Sequence, residues 1–300
     1  MAIVLGKLGG LGVLPRFNSI AEQVHMLSQV LSANVPGAAA IGLKDLLDRS
    51  KALVKAGVDI LVIDVAHGHM QQTIEATTIL KKTFPETNLI SGNVSTYEGA
   101  RDLFAAGADC VKVGIGPGTA CITRIQTGFG VPQITAVIEA ARAATEAGKT
   151  LICDGGTKNP GDIVKGLAAG SHAVMAGSQF AGTDEAPGEL VEKEDKKYKK
   201  YNGSASAEEK RKQLERLGQE KIAGNYLDHI EGVSALVPYK GPVATVVNHL
   251  LAGIRSGFSY AGARNLSELH QKAKFVRISP QGVRESNSHD VIMTGAVELL

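Results

Sequence analysis

Tryptophan is absent, aromatic residues make up 4% of the chain, and cysteine occurs only at Cys110, Cys121 and Cys153. So few cysteines, in an odd number, exclude a disulfide-framework protein and fit a reducing compartment. Two of them, Cys110 and Cys153, lie in apolar strand patterns and read as inert buried thiols. No apolar run approaches the ~18 residues of a membrane span, and no basic-then-apolar leader opens the chain. A soluble cytoplasmic protein with no membrane partner is expected. Charge of one sign is lacking too: the formal net charge is +2, with basic residues scattered. The mixed run 192–200 (EKEDKKYKK) reads as a solvated loop rather than a phosphate tracker, so no nucleic-acid partner is expected.

What the chain has is glycine, 35 of 300 residues, within a 44% hydrophobic composition. Short apolar runs alternate regularly with amphipathic stretches. Strands are expected at 11–14, 38–42, 59–65, 88–94, 110–116, 150–156 and 172–178, with helices between them. The helix at 19–31 opens on Ser19 with Glu22 three residues later, a capping-box pattern. Continuously apolar strands joined by helices imply a parallel sheet covered on both faces. The α/β repeat suits a (β/α)8 TIM barrel, with seven strands recognisable in this chain. From 183 to 240 the period breaks into a polar excursion without buried strands, with a helix expected at 207–217. An amphipathic helix returns at 242–258. No second core is visible, so residues 1–300 read as a single catalytic barrel domain with a flap insertion after the last strand.

In such a barrel the strand C-terminal ends carry the chemistry. Here they hold Asp64 with His67, Asn93, the loop of Gly114, Gly116 and Gly118, Asp154 with Gly155 and Gly156, and Gly177 with Ser178. The glycine loop lets backbone amides approach an anion, and Cys121 at its end is a candidate nucleophile. The same pattern also describes a tight strand-to-helix turn with a packed thiol. GIGPGT (114–119) and MAGS (175–178) together point to a shared phosphate, and Asp154 suits two ribose hydroxyls or a strand-end cap. His67 and His69, two apart with no third ligand nearby, make a poor zinc site. No GxGxxG follows the first strand, so a nicotinamide cofactor is not deducible from the residues alone. They reach as far as a phosphosugar or nucleotide barrel enzyme.

Longer motifs carry a resemblance. GIGPGTACITR (114–124), DVAHGH (64–69), SGNV (91–94), CDGG (153–156), GDIVKGLAAG (161–170), MAGSQFAGTDEAPGE (175–189), EGVSALVPYKGPV (231–243), AGIRSGFSYAGA (252–263) and FVRISPQGVRESNSHDV (275–291) resemble, in order, the inosine-monophosphate dehydrogenase and guanosine-monophosphate reductase family. The resemblance implies that Cys121 adds to purine C2 of a bound nucleotide and that hydride passes between C2 and a nicotinamide. Thr123 would lie beside the reacting carbon, and Arg216 would be a remnant of the water-activating Arg-Tyr pair. Thr119, Gly156, Gly177, Ser178 and Tyr201 match phosphate-contacting positions, Asp154 the ribose carboxylate, and Glu231 the group reading the purine N1 edge. Gly203 belongs to the flap over the nucleotide. Asp64 and Asn93, with Gly114 and Gly116, match the cofactor side. Potassium would be held by carbonyls of Gly114, Gly116 and Cys121 with Glu285, Ser286 and Asn287 of a neighbouring subunit, in a homotetramer.

The chain also departs from the family pattern. The family barrel begins with a strand that would lie upstream of Met1, and paired regulatory domains usual near 31–37 are replaced by SANVPG. The flap segment usually read YRGMGS is YNGSAS at 201–206, with Ser204 and Ala205 behind the base. The water-activating pair, expected near 217–218, is matched only by Arg216-Leu217. The long Gly203-to-Glu231 spacing and the RESNSHDV tail favour NAD-dependent oxidation of IMP to XMP. The DVA strand end, the missing regulatory domains and the damaged pair leave NADPH-dependent GMP reduction, or a non-catalytic nucleotide-binding relative, as alternatives.

Overall fold

Short apolar strands and amphipathic helices alternate from the start of the chain in a computed structural model that describes residues 1–216 and 226–290. The first half runs α1 (Ala2–Lys7), β1 (Val13–Leu14), α2 (Ile20–Ser32), β2 (Ala38–Ile41), α3 (Leu46–Lys55), β3 (Ile60–Asp64), α4 (Gln71–Thr83), β4 (Asn88–Val94), α5 (Tyr97–Ala105) and β5 (Cys110–Val113). It continues through α6 (Thr123–Thr127), α7 (Gln133–Ala147), β6 (Thr150–Asp154), α8 (Pro160–Ala168), β7 (Ala173–Met175) and α9 (Ser178–Ala181). Local chemistry sets several boundaries. Ser19 Oγ accepts from the Glu22 amide while Glu22 Oε2 accepts from the Ser19 amide, closing the expected capping box on α2. Asn159 caps α8 ahead of Pro160, and Gly148 ends α7 in the left-handed conformation.

The seven strands pair in parallel in chain order, β1 to β7, and the sheet curls into a half-barrel of the TIM-barrel kind. Alternation along each strand sends side chains to opposite faces. In β5, Val111 and Val113 enter a core with Leu103, Val137 and Leu151 beneath α5 and α7. Lys112, between them, faces the other side. A second core joins β1–β4 to α2–α4 through Leu27, Ile41, Leu53, Leu61, Ile63 and Leu80. Each fully buried aliphatic side chain stabilises the fold by about 1.5–3 kcal/mol relative to exposure.

The excursion after β7 is more ordered than the sequence reading. It forms a three-stranded antiparallel sheet in the order β10-β9-β8, from β8 (Leu190–Lys193), β9 (Lys196–Asn202) and β10 (Ser234–Pro238), with α10 (Ala207–Arg216) between the last two. The run 192–200, expected as a loop, is a hairpin. Its two turn residues, Glu194 and Asp195, both take positive φ (52° and 59°), which matches the twist of a two-residue connection. One of its lysines is not solvated: Lys199 is 6% exposed, and its ammonium donates to the carbonyls of Thr183 (2.8 Å) and Ala186 (2.5 Å). The expected last strand also ends early, at Met175, so Gly177 and Ser178 start α9 instead. The expected helix end at 217 lies outside the described residues. The described residues close with α11 (Val243–Tyr260), α12 (Leu266–Lys272) and α13 (Pro280–Glu285). Among the described residues, no helix is long and apolar enough to cross a membrane.

Candidate active site

Four consecutive strands deliver one side chain each to a single polar cluster: Asp64 from β3, Asn93 from β4, Lys112 from β5 and Asp154 from β6. Lys112 Nζ donates to Asp154 Oδ2 (2.6 Å), Asn93 Oδ1 (2.5 Å) and Asp64 Oδ1 (3.3 Å). Asn93 Nδ2 donates in turn to Asp154 Oδ2 (2.9 Å) and to the Gly114 carbonyl (2.8 Å). Lys112 is 4% exposed. Burial alone would lower its proton affinity, but the charges of Asp154 and Asp64 outweigh that and raise it. The cluster is therefore a buried cation held between two carboxylates. Sequence reading missed Lys112, although a lysine inside the continuously apolar CVKV was the signal.

Above this cluster the loop after β5 bends back over β6. Gly114 has φ +148°, and a Cβ there would collide with the Asp154 carbonyl oxygen, so only glycine fits. Gly155 and Gly156, both at positive φ, pack under Pro117. The loop then meets the end of β7: Thr119 Oγ1 and Ser178 Oγ are 3.1 Å apart. Tyr201, from β9, brings its hydroxyl against Gly177. Burial, then the nearby Asp154 charge, raise its phenolic pKa. Thr119, Gly156, Gly177, Ser178, Tyr201 and Asp154 thus converge on one rim.

The thiol of Cys121 sits in a second chain of contacts. Cys121 Sγ donates to Thr123 Oγ1 (3.2 Å), whose hydroxyl donates to Glu231 Oε2 (2.5 Å). Glu231 Oε1 is 2.7 Å from Nε2 of His229, a residue that sequence reading passed over. The Thr123 hydrogen bond holds the Glu231 carboxyl below the usual range; partial burial opposes this and His229 assists it. The return of the excursion fixes this arrangement through backbone pairing. The Ile122 amide donates to the Glu231 carbonyl (2.9 Å) and the Val233 amide to the Ala120 carbonyl (3.0 Å). Gly203 packs against Ala120 and Gly232, so both ends of the excursion close on the loop that carries Cys121.

Burial pushes the Cys110 thiol up to about 11 and raises that of Cys153 as well. Other sequence expectations are not brought to the site. Arg216 ends α10 about half exposed and pairs with Glu209 (3.8 Å); it makes no hydrogen bond or ion pair with Cys121 or Thr123. Positions 217–218 lie outside the described residues. His69 Nε2 bonds Asp102 (2.9 Å), and His67 Nδ1 accepts from the His69 amide. The expected potassium set spans two chains, with Glu285, Ser286 and Asn287 supplied by a neighbouring subunit. Ser286 and Asn287 bond back into α13, to the carbonyls of Gly282 and Val283, while Glu285 is exposed and the Gly114 carbonyl is engaged by Asn93.

Comparison with known proteins places this arrangement in a family. The sequence profile of the "IMP dehydrogenase / GMP reductase domain" matches residues 1–289. A curated relative named inosine-5'-monophosphate dehydrogenase from Aquifex aeolicus (strain VF5) is 52% identical over 85% of this chain and 52% of its own length. Relatives of the same name from Nitrosopumilus maritimus (strain SCM1) and Streptococcus pyogenes are 47% and 45% identical, over 85% and 96% of this chain and 54% and 59% of theirs. The chain thus spans little more than half the length of the curated relatives it matches. A profile match across nearly every described residue, over a sheet whose strand ends gather the glycine loop, Asp154 and Cys121, means that the chain belongs to the IMP dehydrogenase / GMP reductase family.

Proposed function

We propose that the chain is the catalytic barrel of an NAD-dependent IMP dehydrogenase, which oxidises IMP to XMP through a covalent Cys121 adduct. The observation that carries this reading is the chain Cys121–Thr123–Glu231, a thiol with an onward route for its proton. Asp154 Oδ2 is taken by Lys112 and Asn93, so Oδ1 remains to accept from the ribose hydroxyls of IMP. Thr119, Gly156, Gly177, Ser178 and Tyr201 receive the phosphate, and Gly203 closes the flap over the nucleotide. With the nucleotide so anchored, purine C2 is presented to Cys121 Sγ.

As the C–S bond forms, the C2=N3 π pair moves onto N3, the thiol proton passes to Thr123 Oγ1 and the Thr123 proton passes to Glu231 Oε2; the N3 pair re-forms the double bond as hydride departs. Hydride then leaves C2; NAD, when bound, supplies the acceptor. The residues fit that cofactor. The Asp64 carboxylate is 40% exposed and is paired only loosely, with Lys112 at 3.3 Å and Arg16 at 3.7 Å, so it can accept ribose hydroxyls beside Asn93, Gly114 and Gly116. Hydrolysis of the thioimidate needs a base for water, and Arg216 is paired with Glu209 instead of Cys121 or Thr123. Thr123 and Glu231 supply that base, with His229, whose side chain is 58% exposed, opening the far end to solvent. Potassium, if bound, would take carbonyls of Gly114, Gly116 and Cys121 with Glu285, Ser286 and Asn287 of a second copy in a cytoplasmic homotetramer; no step is assigned to it.

The test is NADH absorbance with purified protein, IMP, NAD and KCl, run beside Cys121→Ala. A Cys121-dependent rise is expected. Equal rates in both proteins, or no NADH from either, overturns the reading.

A further inference from the structure

Lys112 has three N–H bonds and spends all of them inside the protein, on acceptors from three different strands. At 4% exposure, water cannot replace any of them. The sharing is unequal: the ammonium is 2.6 Å from Asp154 and 3.3 Å from Asp64. One buried positive charge therefore serves two carboxylates, and whatever loosens its hold on one strengthens its hold on the other. Asp64 has a second, more distant cation in Arg16 at 3.7 Å, whereas Asp154 has no ion-pair partner but Lys112 among the described residues.

We propose that Lys112 couples the two ligand subsites of this sheet, so that the state of Asp64 sets the affinity of Asp154 for the nucleotide ribose. The inference rests on the reading above, in which Asp154 takes the ribose of IMP and Asp64 the cofactor side. Lys112 is a positioning residue here, since it acts through the two carboxylates. The direction follows from the competition. When Asp64 is neutralised by substitution, or its oxygens are engaged by hydrogen bonds from a bound ligand, the ammonium shifts toward Asp154. Asp154 then accepts more weakly from ribose hydroxyls, and IMP is held less tightly. By linkage the effect is reciprocal: IMP on Asp154 weakens what Asp64 holds by the same factor.

The experiment is calorimetric titration of IMP, without cofactor, into the parent chain, Asp64→Asn, Lys112→Met and the double variant. Asp64→Asn is expected to weaken IMP binding about threefold although residue 64 lies on the other subsite, and to change it less than about 1.5-fold once Lys112 is Met. IMP binding with Asp64→Asn inside 1.5-fold of the parent overturns the coupling. So does an equal effect of Asp64→Asn in both lysine backgrounds. Asp64 is partly exposed and its substitution tolerable, so the first comparison decides even where Lys112→Met does not fold. A parent chain that binds no IMP overturns the reading of the site, and this inference with it.

Discussion

Thr123 Oγ1 and Glu231 Oε2 are 2.5 Å apart across 108 residues of sequence, and the hydroxyl that joins them also receives the Cys121 thiol. The contact joins the first residue of α6 to the segment just before β10, so the proposed proton route requires the excursion to be folded back. Thr123→Val keeps the volume and removes the hydroxyl. It is expected to lower kcat about 100-fold while KM for IMP changes by about twofold or less. Steady-state kinetics with IMP and NAD check it; an unchanged kcat would remove Thr123 from the route.

The same contact sets a pH dependence. Thr123 donates to the ionised carboxylate and so favours it, which is why Glu231 is held below the usual glutamate range. As a base, Glu231 works while ionised and fails as pH falls through its folded pKa. In the parent the acidic limb of kcat should therefore lie below about 4.5, the ordinary glutamate region. In Thr123→Val the carboxyl loses its donor, its pKa rises, and the limb should move to higher pH. A limb at the same pH in both proteins would assign it to another group.

Cysteine selectivity is a second expectation. Iodoacetamide reacts with thiolates, and burial raises the Cys110 thiol to about 11 and raises Cys153 too. At pH 8, peptide mass spectrometry should find Cys121 alkylated at least about tenfold faster than either, with IMP protecting it. Labelling of Cys110 at a comparable rate would show that β5 opens to solvent.

Much of this architecture was legible in the sequence because the strands are continuously apolar and punctuated by glycine. Seven strands were expected and seven form, in parallel and in order. Asp64, Asn93, Asp154, Gly156, Gly177 and Ser178 were legible for the same reason, since strand ends in a parallel sheet share one side, whereas Tyr201 on β9 was named only by the family resemblance. What escaped was set by partners distant in sequence. Lys112 looked like an isolated polar residue until Asp64 and Asp154 arrived from the neighbouring strands. His229 is the exception: its partner Glu231 is two residues away, and only the link from Glu231 to Thr123, 108 residues earlier, gives that pair a place in the site. The run 192–200 misled because its composition is that of a solvated loop, while its two strands pair with each other and β9 pairs further with residues 234–238. Arg216 was carried over by spacing in the segment where the chain departs from the family pattern, and spacing is least reliable there.

Lys199 offers a test of that hairpin. Its buried ammonium satisfies the carbonyls of Thr183 and Ala186, which tie β9 to the segment after α9. Lys199→Met fills the space but leaves both carbonyls without that donor, at about 1–3 kcal/mol each for an unsatisfied buried group. Urea unfolding should register a loss of about 2 kcal/mol or more. Limited proteolysis should cut first within 183–202. Stability equal to the parent would mean that water replaces the ammonium.

At the opposite end of the sheet Asp109 is expected to contribute to acid stability. Burial alone would raise its pKa, but the ammoniums of Lys81 (2.7 Å) and Lys149 (3.0 Å) and the Leu89 amide (3.0 Å) together lower it. These partners come from α4, from the residue before β6 and from β4, so one carboxylate pins three segments beside β5. A carboxyl whose folded pKa is depressed contributes stability above its unfolded value, about 3.9, and loses that contribution as pH falls through the lower folded value. Asp109→Asn should therefore cost about 1–2 kcal/mol at pH 7, where the charge is lost but the amide can keep some of the hydrogen bonding. Near pH 3 the difference from the parent should shrink, because the parent has begun to lose the same charge on its own. Urea denaturation at both values reads the two differences directly. A gap that is the same at pH 3 and pH 7 would mean that the asparagine disturbs packing rather than charge, and that the pairs with Lys81 and Lys149 do not stabilise the fold.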